Sequence, residues 1–153
     1  MEDRLIAKNR KAFFNYTILD SYEAGIELKG PEVKSIRQGN INLAESFAMV
    51  DGTEIFLLNM HIAPYEFETI ETLDPLRPRK LLLHKKEIAH LSQEVMTKHL
   101  SLVPLRLYLK RGLVKVVIAL GKGKKLYDKR RSIKDKEVKR EMRQSFGRKS
   151  KGK

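Results

Sequence analysis

The sequence predicts a mainly β protein, a small antiparallel OB-like barrel of about six strands with one short helix, one longer helix and a basic C-terminal tail. Apolar and polar residues alternate along several short segments, and Asp51-Gly52 and Arg111-Gly112 separate two pairs of them. No strand–helix–strand repeat occurs. Antiparallel strands in a domain of this size must cover their edges, and closure into a barrel does so. A two-layer α+β sandwich is the alternative.

Two segments of the N-terminal half have the pattern of β-strands. Phe13–Leu28 is rich in aromatic and β-branched residues, so it predicts a long bent strand or a hairpin that turns at Glu23-Ala24-Gly25. Ser46–Val50 and Glu54–Met60 flank Asp51-Gly52, which is a strong hairpin signal. Both segments are expected to belong to the barrel.

A short helix is predicted between these two segments, from Gly30-Pro31 to Gly39. Proline fits the first turn of a helix, the acidic Glu32 suits its positive end, and glycine closes it. Val33 and Ile36 are three residues apart and share one face. We expect that face to be buried.

The second half of the body predicts a loop, a strand, a helix and a hairpin. Pro64–Pro78 contains three prolines and predicts a long exposed loop. Lys80–Leu83 predicts a short strand, and His84–Leu100 predicts a helix with its apolar residues close to one face. Leu105–Lys110 and Val114–Leu120 predict a hairpin with one core face and one partly basic face.

Positive charge is concentrated at the C-terminus. Of the formal net charge of +13, residues 1–120 carry +2 and residues 121–153 carry +11. A block of like charge repels itself, so it predicts an arm that binds a polyanion. We therefore divide the chain into a body, residues 1–121, and a tail, residues 122–153. The tail is expected to be disordered when free, and its segment 133–146 is expected to become helical when phosphate neutralises its charge or when it packs against a partner. A solubilising tail and a membrane-surface arm are the alternatives.

The sequence contains no recognisable catalytic or metal-binding pattern. It has no cysteine, so disulfides and thiolate chemistry are excluded, and its four histidines lack metal-ligand spacing. No nucleophile elbow and no complete glycine-rich phosphate motif occurs. No apolar run is long enough to span a bilayer and no signal peptide is visible. We expect a cytoplasmic binding protein that is not an enzyme and needs no cofactor or metal.

Features typical of nucleic-acid binding lie near the N-terminus. Phe13, Phe14 and Tyr16 place flat rings beside the cations of Asn9-Arg10-Lys11, and such rings stack on bases while cations hold phosphates. The Asn9 amide can read a base edge. The alternative is that Phe13 and Phe14 simply belong to the core.

Several motifs together resemble one family, the SsrA-binding proteins (small protein B). They occur in the same order and at similar spacing, and they cover the chain from about residue 9 to residue 140. The motifs are Asn9-Arg10-Lys11, Tyr16, Glu23-Ala24-Gly25, Gly30-x-Glu32-Val33-Lys34-Ser35-x-Arg37-x-Gly39-x-x-Asn42, Asp74-Pro75-x-Arg77-x-Arg79-Lys80-Leu81-Leu82-Leu83 and Gly121-Lys122-Gly123-Lys124-Lys125-x-x-Asp128-Lys129-Arg130.

The resemblance implies an OB-type barrel with a basic tail that binds transfer-messenger RNA (tmRNA), the RNA that rescues stalled bacterial ribosomes in trans-translation. It implies that the body holds the tRNA-like part near its elbow. It also implies that the tail enters the empty mRNA path of the small subunit and becomes helical there. The expected partners are tmRNA and small-subunit ribosomal RNA, bound by a monomer, with no membrane. The alternative function is that of a generic OB-fold ribosomal or single-strand RNA-binding protein.

The resemblance also assigns residues to each partner. The expected RNA-binding residues are Asn9, Arg10, Lys11, Tyr16, Glu23, Leu82 and His84. Family members often have asparagine where this chain has His84, and both side chains can donate and accept a hydrogen bond. The expected tail residues at the decoding region are Gly123, Lys124, Lys125, Asp128, Lys129 and Arg130.

Overall fold

The computed structural model describes residues 4–65 and 73–124, and this part of the chain forms nine strands and three helices. The strands are β1 (Arg4–Lys8), β2 (Tyr16–Ile26), β3 (Ile41–Asn42), β4 (Phe47–Asp51), β5 (Glu54–Leu58), β6 (His61–Ile62), β7 (Arg79–Leu82), β8 (Ser101–Lys110) and β9 (Leu113–Gly123). The helices are α1 (Arg10–Asn15), α2 (Gly30–Arg37) and α3 (Lys85–Lys98). The predicted tail helix over 133–146 and residues 66–72 of the predicted loop lie outside the described residues.

Six strands close into an antiparallel ring. Their order is β8, β4, β5, β7, β2 and β9, and β9 pairs with β8 to complete the ring. Strand β1 adds to β8 outside this ring, and β3 pairs with β6 as a separate two-stranded sheet. The predicted mainly β barrel is confirmed, whereas the sandwich alternative is wrong.

The apolar faces of the ring strands enclose the main core. Side chains of α2 and α3 complete this core. Each fully buried leucine or isoleucine side chain stabilises the folded state by about 1.5–3 kcal/mol compared with the same side chain left exposed. The core members with no exposed surface are Ile36, Ile55, Leu57, Met60, Leu91, Leu107, Val116 and Ile118. This core holds the strands whose outer surfaces carry the predicted binding residues.

A second, smaller apolar cluster lies on the outer face of β2, β9 and β8. This outer cluster consists of Ala12, Val103, Leu105, Tyr108, Val117 and Ala119. A bulge between Pro104 and Arg106 changes the phase of β8, so Leu105 joins the outer cluster instead of the main core. The predicted core position of Leu105 is therefore wrong, because strict alternation fails at a bulge.

Both predicted hairpin turns and the two predicted helices are confirmed. Gly52 and Gly112 have φ values of 63° and 79°, and glycine adopts this left-handed backbone without steric cost. Helix α2 begins at Gly30 as predicted, and Gly39 follows its end with φ 80°. Helix α3 lies within one or two residues of the predicted limits.

Of the two N-terminal alternatives, the long strand is confirmed over Tyr16–Ile26, whereas the predicted start at Phe13 and the hairpin alternative are wrong. Residues 13–15 belong to helix α1, so the predicted strand begins only at Tyr16. The chain does not turn at Glu23-Ala24-Gly25, because all three residues pair with β9 in one continuous strand. Local composition favours a strand over residues 13–15, but the cap at Asn9 and packing of Ala12 in the outer cluster favour a helical turn.

The described body extends slightly beyond the predicted boundary at residue 121. Strand β9 continues to Gly123, which pairs with Tyr16 of β2. The division of the chain into a body and a tail stays a prediction, since most of the tail lies outside the described residues.

Candidate RNA-binding surface

The predicted binding residues of the body fall into two groups. One group surrounds α1 and contains Asn9, Arg10, Lys11 and Tyr16. The other lies where β2, β7 and the start of α3 meet, and it contains Glu23, Leu82 and His84. Of the predicted tail residues, Gly123 ends β9 and Lys124 follows it, whereas Lys125, Asp128, Lys129 and Arg130 lie outside the described residues.

Asn9 has a structural role in this conformation. Its side chain is only 3% exposed; Oδ1 accepts a hydrogen bond from the Ala12 backbone N–H at 3.2 Å, and Nδ2 donates to the Pro104 carbonyl at 3.0 Å. Because the amide is buried and already paired, it cannot read a base edge as expected. Asn9 instead caps α1 and anchors it to β8.

Arg10 and Lys11 project from the first turn of α1, where both are exposed. The Lys11 Nζ lies 2.5 Å from Oε2 of Glu45, and both side chains are mostly in solvent. Exposed ion pairs contribute at most about 1 kcal/mol, so Lys11 can exchange this partner for a phosphate at little cost. The two cations therefore remain available to an RNA backbone.

Tyr16 lies against the backbone of the last strand. A Cβ added to Gly121 would meet the Tyr16 side chain at 3.0–3.3 Å, which is closer than ordinary van der Waals contact. Glycine at position 121 therefore lets the half-buried ring lie over β9. This contact was not predicted from the sequence, although Gly121 is part of the motif that carries the family resemblance.

A bulge at Leu19 places Tyr16 and Glu23, one residue from each group, on one face of β2. Tyr16 and Glu23 are seven residues apart, so an unbroken strand would direct them to opposite faces. The register with β9 shifts between Ile18 and Asp20, which brings Tyr16 and Glu23 to the same side as the outer cluster. The bulge thus creates a continuous surface along β2.

Glu23 is held by two side chains of β8. Its side chain is 39% exposed, its Oε2 accepts a hydrogen bond from the Tyr108 hydroxyl, and Lys110 Nζ lies 3.5 Å from the same oxygen. A carboxylate at an RNA surface must accept from base or sugar donors to offset repulsion by phosphates. Oε1 of Glu23 has no partner among the described residues, so it can accept a hydrogen bond from a ligand.

Leu82 ends β7 and His84 follows it, next to the part of β2 that carries Glu23. Leu82 pairs with Gly25 of β2, and 47% of Leu82 is exposed. If Gly25 were replaced by a larger residue, its Cβ would lie only 3.3 Å from the Cβ of Leu82. His84 precedes α3, and its backbone N–H donates to Oε1 of Glu87 at 3.1 Å. The family motif over residues 23–25 thus provides a carboxylate and a small residue that leaves room for Leu82.

An open groove of about 920 Å³ adjoins the α1 group. It lies between α1, β4 and α3, and its wall includes Lys11, Tyr16 and the exposed apolar side chains of Phe47, Met49 and Met96. Exposed apolar surface of this kind is typical of binding surfaces. The groove therefore continues the α1 group toward α3.

A buried ion cluster was missed by the sequence analysis. The Glu32 carboxylate, 3% exposed, accepts hydrogen bonds from Arg77 Nη2 at 2.6 Å, from Arg79 Nε at 2.9 Å and from the Lys29 backbone N–H at 2.9 Å. Arg79 also donates to the carbonyls of Met60 and Pro75. Glu32 is four residues before the buried Ile36, and this spacing was the available signal that it lies on the buried face of α2.

The pKa of Glu32 reflects this cluster. Burial alone would raise the pKa, but hydrogen bonds from Arg77, from the Lys29 backbone and from Arg79 outweigh it and lower the pKa below its ordinary value. The carboxylate therefore stays ionised at neutral pH. It fixes α2 to β7, the strand that presents Leu82.

Other classes of site are not seen in the described part of the chain. Residues 4–65 and 73–124 contain no group of three or more histidine or acidic side chains that could hold a metal ion. Among the same residues, no helix is long and apolar enough to cross a membrane.

Comparisons with known proteins agree with the fold and the motifs. The SmpB protein family model matches residues 6–148. The SsrA-binding protein of Caldanaerobacter subterraneus subsp. tengcongensis is 56% identical over 151 residues, covering 99% of this chain and 96% of that protein. The SsrA-binding protein of Geobacter sulfurreducens is 54% identical over 151 residues, covering 99% of each chain.

A solved structure gives the same result at the level of the fold. It is described as "tmRNA-SmpB: a journey to the center of the bacterial ribosome", and one of its chains superposes with a TM-score of 0.66 at 49% identity. The superposition covers 86% of this chain and 93% of that chain. Since the family model matches nearly the whole sequence and the relatives share more than half of their residues with it, this chain belongs to the SmpB protein family.

Proposed function

We propose that this protein binds tmRNA and delivers it to stalled bacterial ribosomes for trans-translation. The observation that carries the proposal is the match to the SmpB family over residues 6–148, which includes both the barrel and most of the basic tail. Relatives named SsrA-binding protein match over 99% of this chain, so the proposal concerns the whole protein.

The charge distribution suits recognition of a folded RNA. Residues 1–120 carry a net charge of only +2, so the body lacks the strong field that non-specific binding to a polyanion requires. Such a surface recognises RNA by shape, by stacking and by a few polar contacts. The tRNA-like part of tmRNA offers a fixed shape of this kind.

Each predicted residue of the body then has a role that follows from its position. Arg10 and Lys11 hold phosphates, Tyr16 and Leu82 present flat or apolar surface to a base or ribose, and Glu23 and His84 exchange hydrogen bonds with the RNA. Asn9 acts indirectly, because its buried amide holds α1 in place.

The tail is proposed to act on the ribosome. Its +11 charge suits the mRNA path of the small subunit, which is lined with RNA phosphates. Gly123, Lys124, Lys125, Asp128, Lys129 and Arg130 are the residues proposed to reach the decoding region. The proposal requires no catalysis, and it places the protein in the cytoplasm as a monomer bound to RNA.

The decisive experiment is a competition between tmRNA and an unstructured RNA of equal length for the full-length protein, followed by filter binding. A strong preference for tmRNA is expected because shape is read by the body. Equal competition would overturn the proposal and favour a generic OB-fold RNA-binding protein. Copurification of tmRNA with the tagged protein from cells is the corresponding test in vivo.

A truncation separates the roles of body and tail. Removal of residues 125–153 leaves β9 complete, because that strand ends at Gly123. We expect the truncated protein to keep most of its tmRNA affinity while losing peptide tagging on stalled ribosomes. If the truncated protein loses tmRNA affinity as well, the proposed division of labour is wrong.

A further inference from the structure

Three residues of β8 that carry no assigned role adjoin the predicted RNA contact Glu23. They are Arg106, Tyr108 and Lys110. We propose that Arg106 and Lys110 form a phosphate-binding patch that continues the RNA surface from β2 across the barrel onto β8, and that Tyr108 is the positioning residue that orients Glu23 within it. The inference rests on the proposed function, since the phosphate belongs to the RNA that the body binds.

The strand register places these residues in two neighbouring rows. Val117 of β9 pairs with Glu23 on one side and with Arg106 on the other. With neighbouring strands about 4.8 Å apart, the Cα atoms of Glu23 and Arg106 are about 10 Å apart on one face.

The second row starts from a predicted contact. Leu82 pairs with Gly25, Gly25 pairs with Lys115, and Lys115 pairs with Tyr108. The row therefore runs from Leu82 through β2 and β9 to the strand that carries the proposed patch. The predicted contacts and the proposed ones share a single continuous surface.

The bulge in β8 turns Arg106 toward this surface. Counted from Val103, which lies in the outer cluster, strict alternation would direct Arg106 toward the main core. The register shift between Pro104 and Arg106 leaves both Leu105 and Arg106 on the outer face, where Leu105 packs in the outer cluster and Arg106 is exposed. A bulge of this kind is a common means of redirecting a side chain at a functional site.

Arg106 is held in place while its donors stay free. Its guanidinium carbon lies 5.9 Å from the centroid of the Tyr108 ring, a favourable cation–π distance. Within the described ranges, no carboxylate or other acceptor pairs with this guanidinium. A planar guanidinium with free donors, fixed against a ring, is well suited to a phosphate.

Tyr108 connects the cations to the carboxylate. It is only 8% exposed, and its hydroxyl donates to Oε2 of Glu23. Lys110 lies 3.5 Å from the same oxygen, so Oε2 is occupied while Oε1 has no partner among the described residues. Glu23 can thus accept from a single RNA donor while the adjacent cations hold the flanking phosphate.

Net charge at the patch favours an anion. Lys110 pairs with the Glu23 carboxylate, whereas Arg106 has no acidic partner among the described residues and its one contact there is the Tyr108 ring, so Arg106 adds uncompensated positive charge next to Glu23. An exposed ion pair contributes up to about 1 kcal/mol, which corresponds to about fivefold in affinity. We therefore expect Arg106→Gln and Lys110→Gln each to weaken tmRNA binding by about fivefold.

The test measures binding of full-length variants to the tRNA-like domain of tmRNA at several salt concentrations. Loss of one phosphate contact reduces the slope of log affinity against log salt by about 0.7–0.9. Arg106→Gln and Lys110→Gln should each show this reduction, and Arg106→Lys should restore the slope because it keeps the charge. The control is Lys98→Gln, which removes a cation at the end of α3 that pairs with Glu94 at 3.0 Å.

The role of Tyr108 is tested by a double-mutant cycle. Tyr108→Phe should weaken RNA binding in the wild-type background but have little further effect in a Glu23→Gln background, because the carboxylate that it orients is gone. A purely structural effect would weaken both backgrounds equally. Thermal unfolding of each variant identifies any loss of folded protein.

Two outcomes are distinguished. If the wild-type protein prefers tmRNA but Arg106→Gln and Lys110→Gln keep its affinity and salt slope, the phosphate patch is wrong and the proposed function stands. If the wild-type protein itself shows no preference for tmRNA, the proposed function fails first.

Discussion

Two glutamates of this barrel, Glu32 and Glu23, show how burial separates structure from recognition. Glu32 is almost completely buried, and two arginines and a backbone N–H occupy its carboxylate. Glu23 is 39% exposed and keeps one oxygen without a partner in the described part of the chain. Both residues belong to motifs of the same family, so a shared motif alone does not indicate which residue contacts a ligand.

The difference has a physical origin. A buried carboxylate loses its hydration and must have several partners, so the Glu32 cluster stabilises one arrangement of α2 and β7 and has no capacity to bind a ligand. Glu23 retains part of its hydration and is oriented by a tyrosine and a lysine. It can exchange water for an RNA donor without loss of its protein contacts.

The largest expected effect is on stability. Glu32→Gln leaves Arg79 buried with too few acceptors, and breaking a buried ion pair costs about 3–5 kcal/mol. We expect a loss of that size in the free energy of unfolding measured with urea. The matched control is Glu45→Gln, which breaks the exposed pair with Lys11 and should cost under about 1 kcal/mol. Equal losses would remove the distinction between buried and exposed pairs.

The second prediction concerns pH. Because the pKa of Glu32 is lower in the folded protein than in the unfolded chain, its contribution to stability is present above the unfolded pKa. That contribution is lost as the pH falls through the folded pKa. We expect the wild-type free energy of unfolding to fall between about pH 5 and pH 3, and to fall less steeply in Glu32→Gln. Parallel curves for the two proteins would contradict the assignment.

The third prediction concerns Glu23, whose replacement should reduce RNA affinity and change stability little, the opposite of Glu32. Glu23→Gln should weaken tmRNA binding by about tenfold, equivalent to about 1.4 kcal/mol, because a charged acceptor is replaced by a neutral amide. Its free energy of unfolding should change by under about 1 kcal/mol. Glu54→Gln is the control, since Glu54 is also half-exposed and pairs with Lys80 at 2.8 Å. Equal loss of affinity in both variants would argue against the proposed face.

The smallest expected effect is that of Lys11→Gln. Its ion pair with Glu45 is exposed, so stability should change by a few tenths of a kcal/mol. RNA affinity should fall by about fivefold at low salt and by less at high salt, because screening shortens the range of the interaction. Filter binding at two ionic strengths measures the difference. A salt-independent loss would indicate that Lys11 acts through the structure of α1.

Much of the fold could be predicted from short-range patterns. The two turns at Gly52 and Gly112, the start of α2 at Gly30-Pro31 and the single apolar face of α3 all depend on interactions within a few residues. Strand β1 and helix α1 were not predicted. Strand β1 depends on its pairing with β8, and helix α1 depends on its cap Asn9, whose side chain is buried against β8.

The candidate site was predicted less completely. The family resemblance identified Tyr16, Glu23 and Leu82, and the register places all three on or beside one face of β2. It could not show that the Asn9 amide is buried, that Glu32 joins two arginines, or that Tyr108 reaches Glu23. These contacts join residues up to 95 positions apart in the chain, so no local pattern contains them.

The sequence by itself determined the class of fold, the turns, the separation of charge between body and tail, and the family. Each depends on composition or on residues that are close in the chain. Only the tertiary structure decided which polar residues are buried and which face outward, because two bulges, at Leu19 and Leu105, change the phase of their strands. A one-residue shift in a strand moves every later side chain to the opposite face, and the position of a bulge depends on strand pairing across the whole barrel.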